Sequence, residues 1–296
     1  MQNQVTASKS ELVRHLFDWA NRGSSGDIEV AVHHLWRRRN RLETFIAENS
    51  ERCIVSGPAY WGIAGYPIAH SLTPRLFTIV GEKLGIDAQC IFVEADSMSE
   101  FEANIEQLEG DLWLSCTAPL KHSPQARLGV SGPEGVNAIN QLKRVDGKWA
   151  GTSTDGVGFV AACRHIGIEP NGSTLRMRGG GSAARAIAAA WAAEGGRIIP
   201  SEGRRALLSG PWDEAIIDDG EADLAIDLDA TAGGGDSVDL RAKQQVSISY
   251  GEGATSDEFA VIMVAAQHLE AWKLLYTPSF ADSLPSLESV LKDLIQ

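Results

Sequence analysis

Apolar residues recur at helical spacing in two stretches near the start of the chain, 10–22 (SELVRHLFDWANR) and 28–48 (IEVAVHHLWRRRNRLETFIAE). Ser10 and Asp27 stand where N-caps belong, and Gly23–Ser24–Ser25–Gly26 breaks the pattern, so two amphipathic helices are predicted there. From residue 59 the texture changes to short apolar runs alternating with amphipathic segments. The runs predict strands at Tyr60–Ala64, Gln89–Val93 and Asp111–Leu114, with helices at Pro74–Leu84 and Met98–Leu108 between and beside them. The same rhythm returns with strands at Leu175–Arg178, Arg197–Pro200 and Leu224–Leu228 and a helix at Ala183–Ala193. Strand and helix in alternation imply βαβ units and mainly parallel sheets. Thr154–Asp155–Gly156–Val157–Gly158 interrupts the alternation and marks a hinge between two α/β domains. Helical stretches at Asp257–Tyr276 and Leu284–Ile295, parted by Pro278 and Pro285, end the chain.

The expected architecture is therefore α/β with two domains and a helical extension. The extension is 1–57, the first domain is 58–156 completed by 257–296, and the second is 157–256. A hydrophobic share of 44% with 22% charged residues over 296 positions suits two buried cores. No apolar run reaches the ~20 residues of a membrane helix, and the N-terminus has no basic segment followed by an apolar one, so neither a membrane partner nor a secretory leader is expected. Cys53, Cys90, Cys116 and Cys163 are scattered without C-x-x-C spacing, which suits reduced thiols in a cytoplasm and offers no metal site. A net charge of −13 argues against nucleic acid, and it means that an anionic ligand needs a local cation. The run Arg37–Arg38–Arg39–Arg41 reads as a solvated helix face.

Two stretches carry chemistry. Gly179–Gly180–Gly181–Ser182–Ala183–Ala184 follows a predicted strand and opens an Ala-rich helix, in the pattern G-x-G-x-x-A. Glycines there let backbone amides approach a pyrophosphate, toward which the helix N-terminus presents partial positive charge. Glu202, at the end of the next strand, stands where an acid would accept from a ribose. The second stretch is Ser115–Cys116–Thr117–Ala118–Pro119–Leu120–Lys121, a lysine just past the end of a strand.

Set in order, these pieces resemble the shikimate dehydrogenase family from about residue 61 to the C-terminus. Gly65–Tyr66–Pro67–Ile68–Ala69–His70–Ser71–Leu72–Thr73–Pro74 is similar to the family's substrate loop, G-x-P-I-x-H-S-x-S-P. The resemblance implies that Ser71 and Thr73 hold a substrate carboxylate, with His70 structural. Ser115 to Lys121 is similar to N-V-T-V-P-x-K, with Thr117 in the pocket and Lys121 as the catalytic lysine. Val136–Asn137–Ala138 is similar to A-V-N-T, and Ser153–Thr154–Asp155–Gly156 to N-T-D-G, with Asp155 as the catalytic aspartate. Tyr250 and Gln267 match two further pocket positions. Together they imply an oxidoreductase of aromatic amino acid biosynthesis that interconverts 3-dehydroshikimate and shikimate, or the quinate pair, with a nicotinamide cofactor. A lysine partly removed from water suits the proton half of that reaction.

The departures matter too. Serine replaces asparagine at 115 and 153, which shortens two amide side chains. Arg176 and Arg178 occupy strand positions expected to be aliphatic. Ser201–Glu202–Gly203 replaces the N-R-T whose arginine takes the 2′-phosphate of NADP, so NAD is the preferred cofactor, with Arg204 and Arg205 the argument for NADP. The expected ligand is a small hydroxy acid, and a homodimer is left open. Two alternatives stand beside this reading: a redox-inactive ligand-binding relative, and an interaction adaptor built on the N-terminal helices.

Overall fold

The structure is a computed structural model that describes residues 57–230, 237–251 and 254–295. The helices expected over 10–22 and 28–48, with their arginine cluster, lie outside the described residues. No helix among the described residues is long and apolar enough to cross a membrane.

The first sheet joins β1 (Tyr60–Gly65), β2 (Gln89–Glu94), β3 (Leu112–Cys116), β4 (Gln141–Val145) and β5 (Lys148–Thr152) in the order β2-β1-β3-β4-β5. β1 runs parallel to both β2 and β3. Helices α1 (Thr73–Leu84) and α2 (Met98–Glu106) make the crossovers. Pro74 opens α1 at a position that needs no N–H, and Gly85, at φ 68°, closes it with bonds to the carbonyls of Gly81 and Glu82. Ser97 caps α2 by accepting from the Glu100 N–H. β4 and β5 are antiparallel to their neighbours, so this sheet is mixed where a mainly parallel one was expected. The reason is local: Asp146 and Gly147 both take positive φ, 49° and 74°, and turn the chain straight back on itself.

The second sheet is wholly parallel, in the order β7-β6-β8-β9: β6 (Thr174–Arg178), β7 (Arg197–Ser201), β8 (Leu224–Asp227) and β9 (Gln244–Val246). Helix α4 (Asp155–His165) leads from the first sheet to the second, and α5 (Ser182–Ala193) crosses from β6 to β7. The short α3 (Pro124–Leu128) lies in the connection from β3 to β4. α6 (Phe259–Ala271) returns the chain to the first sheet, packing on α1 and α4, and its sequence is apolar on nearly every face because it is buried on nearly every face. The helix predicted to run on to Tyr276 instead passes into a π-helical turn, Trp272–Tyr276, and then a 3-10 turn, before α7 (Leu287–Ile295).

One continuous core runs from Trp61, Phe77 and Trp113 through α6 to Leu175, Ile198 and Leu224 of the second sheet. Trp113 stacks on Tyr276 at 5.1 Å between ring centroids, and Trp61 on Phe77 at 5.7 Å. The stretch 154–158, read from sequence as a hinge, is the N-cap and first turn of α4, buried except at Val157. Its glycines are contact points, for a Cβ on Gly156 would lie 2.0 Å from the Ala186 carbonyl and one on Gly158 2.6 Å from Gln267 Cα.

Candidate functional site

The C-terminal ends of β1 and β3 lie side by side and deliver two loops to one cavity. Gly65 ends β1 with a φ of 141°, and a Cβ there would sit 2.5 Å from Thr117 Cγ2. This close approach seats the loop 65–73 against the start of the loop after β3, helped by the Tyr66 N–H bond to the Ala118 carbonyl at 3.0 Å. Ser71 accepts from the Thr73 N–H at 3.3 Å, and the Tyr250 hydroxyl accepts from the Leu72 N–H at 3.4 Å. Tyr250 therefore ties the loop to the segment after β9.

Beyond β3, a single 3-10 turn, Leu120–His122, buries Leu120 and leaves Lys121 beside the start of α4. The Lys121 carbonyl accepts from the Ile139 N–H at 2.8 Å, which fixes the turn. Lys121 Nζ donates to Asp155 Oδ2 at 2.7 Å, with the lysine side chain 18% exposed and the aspartate 3%. Asp155 is the first residue of α4, where the helix dipole favours a carboxylate. Its other oxygen accepts from Asn140 Nδ2 at 2.8 Å, and the Thr154 N–H bonds Asn140 Oδ1 at 2.7 Å.

These groups open on a cavity of about 200 Å³. Ser71, Thr73, Thr117, Lys121, Asp155, Tyr250 and Gln267, all expected from sequence to serve one ligand, line it together. Cys116 also lines it, and burial pushes its thiol up to about 12 although the Lys121 charge pulls the other way. Asn137 is not among the lining residues. It takes a positive φ of 48° and uses its carbonyl to accept from Arg185. The lining asparagine is Asn140. The sequence offers A-V-N-T in two frames, Gly135–Val136–Asn137–Ala138 and Ala138–Ile139–Asn140–Gln141, each keeping two of the four residues. Gln141 and Ser115 line the cavity as well.

The glycine turn sits beside this cavity, which Ala183 of α5 helps to line. Gly179 takes a φ of 110°, Gly181 has open space where a Cβ would stand, and Ser182 opens α5. Those features fit a dinucleotide phosphate. The space over the middle glycine does not, in this conformation: a Cβ on Gly180 would lie 2.0 Å from the carbonyl oxygen of Ala206. Residues 203–212 form a strap that leaves β7, crosses Gly180 and brings Pro211 against Gly135, where a Cβ would meet it at 2.6 Å. Trp212 anchors its far end, 1% exposed, with its indole N–H on the Leu208 carbonyl.

Two acids at the end of β8 complete the picture. Arg178 is not a stray charge in an aliphatic place; it bonds both carboxylate oxygens of buried Asp227 at 3.1 Å. Burial alone would raise the Asp227 carboxyl, but N–H groups of Val238 and Asp229 and the Arg178 guanidinium hold it below the usual range. Asp229, two residues on, accepts from the Arg204 N–H and lies against Gly179 and Gly203. The acid at the glycine turn is thus Asp229, while Glu202 is exposed and its carbonyl accepts from Arg178. On the opposite flank, burial and then Arg185 lower the His122 pKa, and His122 shares hydrogen bonds with Ser182 and Arg185.

No protein-family profile matches the chain. A shikimate dehydrogenase (NADP(+)) of Xanthomonas campestris pv. campestris (strain B100) is 35% identical over 141 residues, 44% of this chain and 47% of that protein. The chain thus spans about half the length of the curated relatives it matches. Among solved structures, the shikimate 5-dehydrogenase of Thermus thermophilus in complex with NADP(H) and shikimate superposes with a TM-score of 0.63 at 21% identity, over 79% of this chain and 98% of that one. The fold is that of the shikimate dehydrogenases. This fold also hosts other chemistry, for the 5-ketofructose reductase of a Gluconobacter species superposes with a TM-score of 0.56 at 18% identity, over 79% of this chain and 97% of that one.

Proposed function

We propose that the chain binds a small hydroxy acid of the shikimate or quinate type and interconverts its alcohol with the corresponding ketone, using a nicotinamide dinucleotide. The observation that carries this reading is the Lys121–Asp155 contact at 2.7 Å on the wall of a cavity that also presents the Ser71 and Thr73 hydroxyls. The curated relatives named shikimate dehydrogenase support it. Ser71 and Thr73 hold the carboxylate, while Thr117, Tyr250 and Gln267 bound the ring. Lys121 Nζ takes the hydroxyl proton as the alcohol becomes a ketone and returns it in the reverse direction. Asp155 aims the ammonium, and Asn140 aims Asp155. Hydride transfer is the chemistry a bound nicotinamide supplies, and Gly179, Gly181, Ser182 and Ala183 would hold its phosphates. In this reading 58–156 with 257–296 serves the acid, 157–256 serves the nucleotide, and the protein works in the cytoplasm.

Glu202 was the sequence argument for NAD, but the relatives are named for NADP(+) and Asp229 takes the place at the turn. Arg205 is close enough to Arg185 for its charge, after burial, to lower the Arg185 pKa, so cations stand on this side of the glycine turn. The reading therefore takes NADP.

One observation favours a second reading, a hydroxy-acid-binding relative without redox activity: the strap over Gly180 stands where a pyrophosphate would lie. A single set of measurements separates the two. Purified full-length protein is offered shikimate and quinate, each with NAD and NADP, and absorbance is followed at the reduced nicotinamide band, while calorimetry measures each ligand alone. Turnover with either acid carries the first reading. Binding of an acid with neither nucleotide bound and no turnover carries the second, and binding of neither acid overturns both.

A further inference from the structure

Gln141 is almost fully buried, at 1% exposed, yet it borders the acid cavity. It stands directly opposite Ser115 in the β3–β4 ladder, so the two side chains share a face of the sheet. Its amide can be accounted for atom by atom. The Oε1 accepts from the Ser115 hydroxyl at 2.8 Å and from the Tyr276 hydroxyl at 2.9 Å, which uses both lone pairs. One Nε2–H goes to Thr154 Oγ1 at 3.3 Å. The second Nε2–H has no acceptor among the described residues. The neighbouring amide is in a different position: Asn140 Nδ2 gives one N–H to Asp155 and the other to Thr154 Oγ1 at 3.2 Å. Asn140 is therefore spent on positioning Asp155, and Gln141 is the amide of this wall with a donor left over.

A buried donor without a partner costs about 1–3 kcal/mol, so a built site does not keep one idle without return. The Ser115 and Tyr276 hydroxyls both meet Oε1 in this arrangement, and Gln141 is itself one of the residues that line the cavity.

We propose that Gln141 is a specificity-determining residue of the acid pocket, its remaining Nε2–H donating to one hydroxyl oxygen of the bound acid. The proposal rests on the hydroxy-acid reading of the cavity and on nothing in the nucleotide site. It assigns Gln141 to recognition, with the proton transfer left to Lys121.

The test is calorimetric and needs no turnover. Shikimate and the analogues that each lack one ring hydroxyl are titrated into wild type, Gln141→Met and Tyr276→Phe, with circular dichroism as the check on folding. Wild type is expected to bind one deoxy analogue about 10-fold more weakly than shikimate, the size of one hydrogen bond. Gln141→Met should bind shikimate about 10-fold more weakly and treat that analogue and shikimate alike, while still distinguishing the others. Tyr276→Phe removes an orienting partner but keeps the Nε2–H, so its discrimination should stay within about 3-fold of wild type. The proposal is overturned if Gln141→Met ranks all the analogues as wild type does, or if its affinities for all of them fall by one common factor. Failure of wild type to bind any of these acids overturns the reading of the pocket itself, and with it the role of Gln141.

Discussion

Lys121 and Asp155 stand 34 positions apart in sequence and 2.7 Å apart in space. A lysine so held has two N–H groups left to meet a ligand oxygen. Replacing it should spare binding and damage the chemical step. Lys121→Ala is expected to lower turnover by at least ~100-fold, within the 10²–10⁴ that general acid–base help supplies, while the calorimetric affinity for the acid changes several-fold at most. Asp155→Asn should also lower turnover, and the double variant should lose less than the product of the two, since the pair acts as one unit. Near-normal turnover of Lys121→Ala would remove it from the proton path. The thiol beside this pair is a separate matter. Burial raises Cys116 and Cys163 to about 12, so both stay protonated at neutral pH, whereas Cys90 is exposed. Among these three, peptide mapping after iodoacetamide at pH 8 should find Cys90 alkylated, with Cys116 and Cys163 reacting only after unfolding. At this scale the sequence was readable wherever a residue sat inside one contiguous motif, as Ser71, Thr73, Thr117, Lys121 and Asp155 do. Asn140 was missed because A-V-N-T can be laid down in two frames three residues apart, and only the hydrogen bond to Asp155 chooses between them. Asp229 was invisible because its approach to Gly179 depends on β8 lying beside β6, a pairing between residues far apart in the chain.

Among the elements, α4 is the one on which the site depends most, since its first residue is Asp155. It is held from two sides through glycines, Gly156 against the Ala186 carbonyl of α5 and Gly158 against the Gln267 backbone of α6. Alanine at 158 would gain about 1 kcal/mol in helix propensity. Against that stands a Cβ 2.6 Å from Gln267 Cα, a backbone atom that cannot turn aside, and overpacking of this kind costs about 1–3 kcal/mol. Repulsion should win. The difference is a net loss of up to about 2 kcal/mol, so Gly158→Ala is expected to lower Tm by up to roughly 8 °C, taking about 2–4 °C per kcal/mol in a chain of this size, and to lower turnover as Asp155 shifts. An unchanged or higher Tm would show that α4 and α6 can part at little cost. Strand and helix positions were legible here because period-2 and period-3.6 patterns are local, and most predicted segments end within a residue or two of the observed ones. The β4–β5 hairpin was passed over although Asp146–Gly147 announces it, because its strands carry Lys143, Arg144 and Lys148 and lack an apolar run. β9 escaped for a similar reason, being three residues long with only Val246 buried.

Among the described residues, one core joins the two sheets, while the two proposed ligand sites differ in openness. The cavity beside Lys121 is formed and lined, whereas the strap 203–212 crosses the glycine turn. Trp212 and Leu207 pack the strap's far part on the core, and its near part is held by polar contacts that no pattern of apolar positions announces. Its near end hangs on Asp229, which accepts from the Arg204 N–H at 2.5 Å and whose carbonyl accepts from the Arg204 guanidinium at 3.0 Å. Asp229 thus bears on nucleotide binding in two ways that share one sign: its carboxylate holds the strap down, and its charge opposes a pyrophosphate on Gly179. Asp229→Ala should release the strap and remove the repulsion together, so NADP affinity measured by calorimetry should rise by about 10-fold, equivalent to about 1.4 kcal/mol. The affinity for the acid should stay within about 2-fold, because Asp229 is not among the residues lining that cavity. The opposite sign has an equally definite meaning. A carboxylate that accepts from a ribose hydroxyl, the task first assigned to Glu202, would be missed when removed, and NADP affinity would then fall. A fall in Asp229→Ala would make this residue a nucleotide ligand and the strap a bystander, while a rise would make nucleotide entry a contest with the protein's own chain.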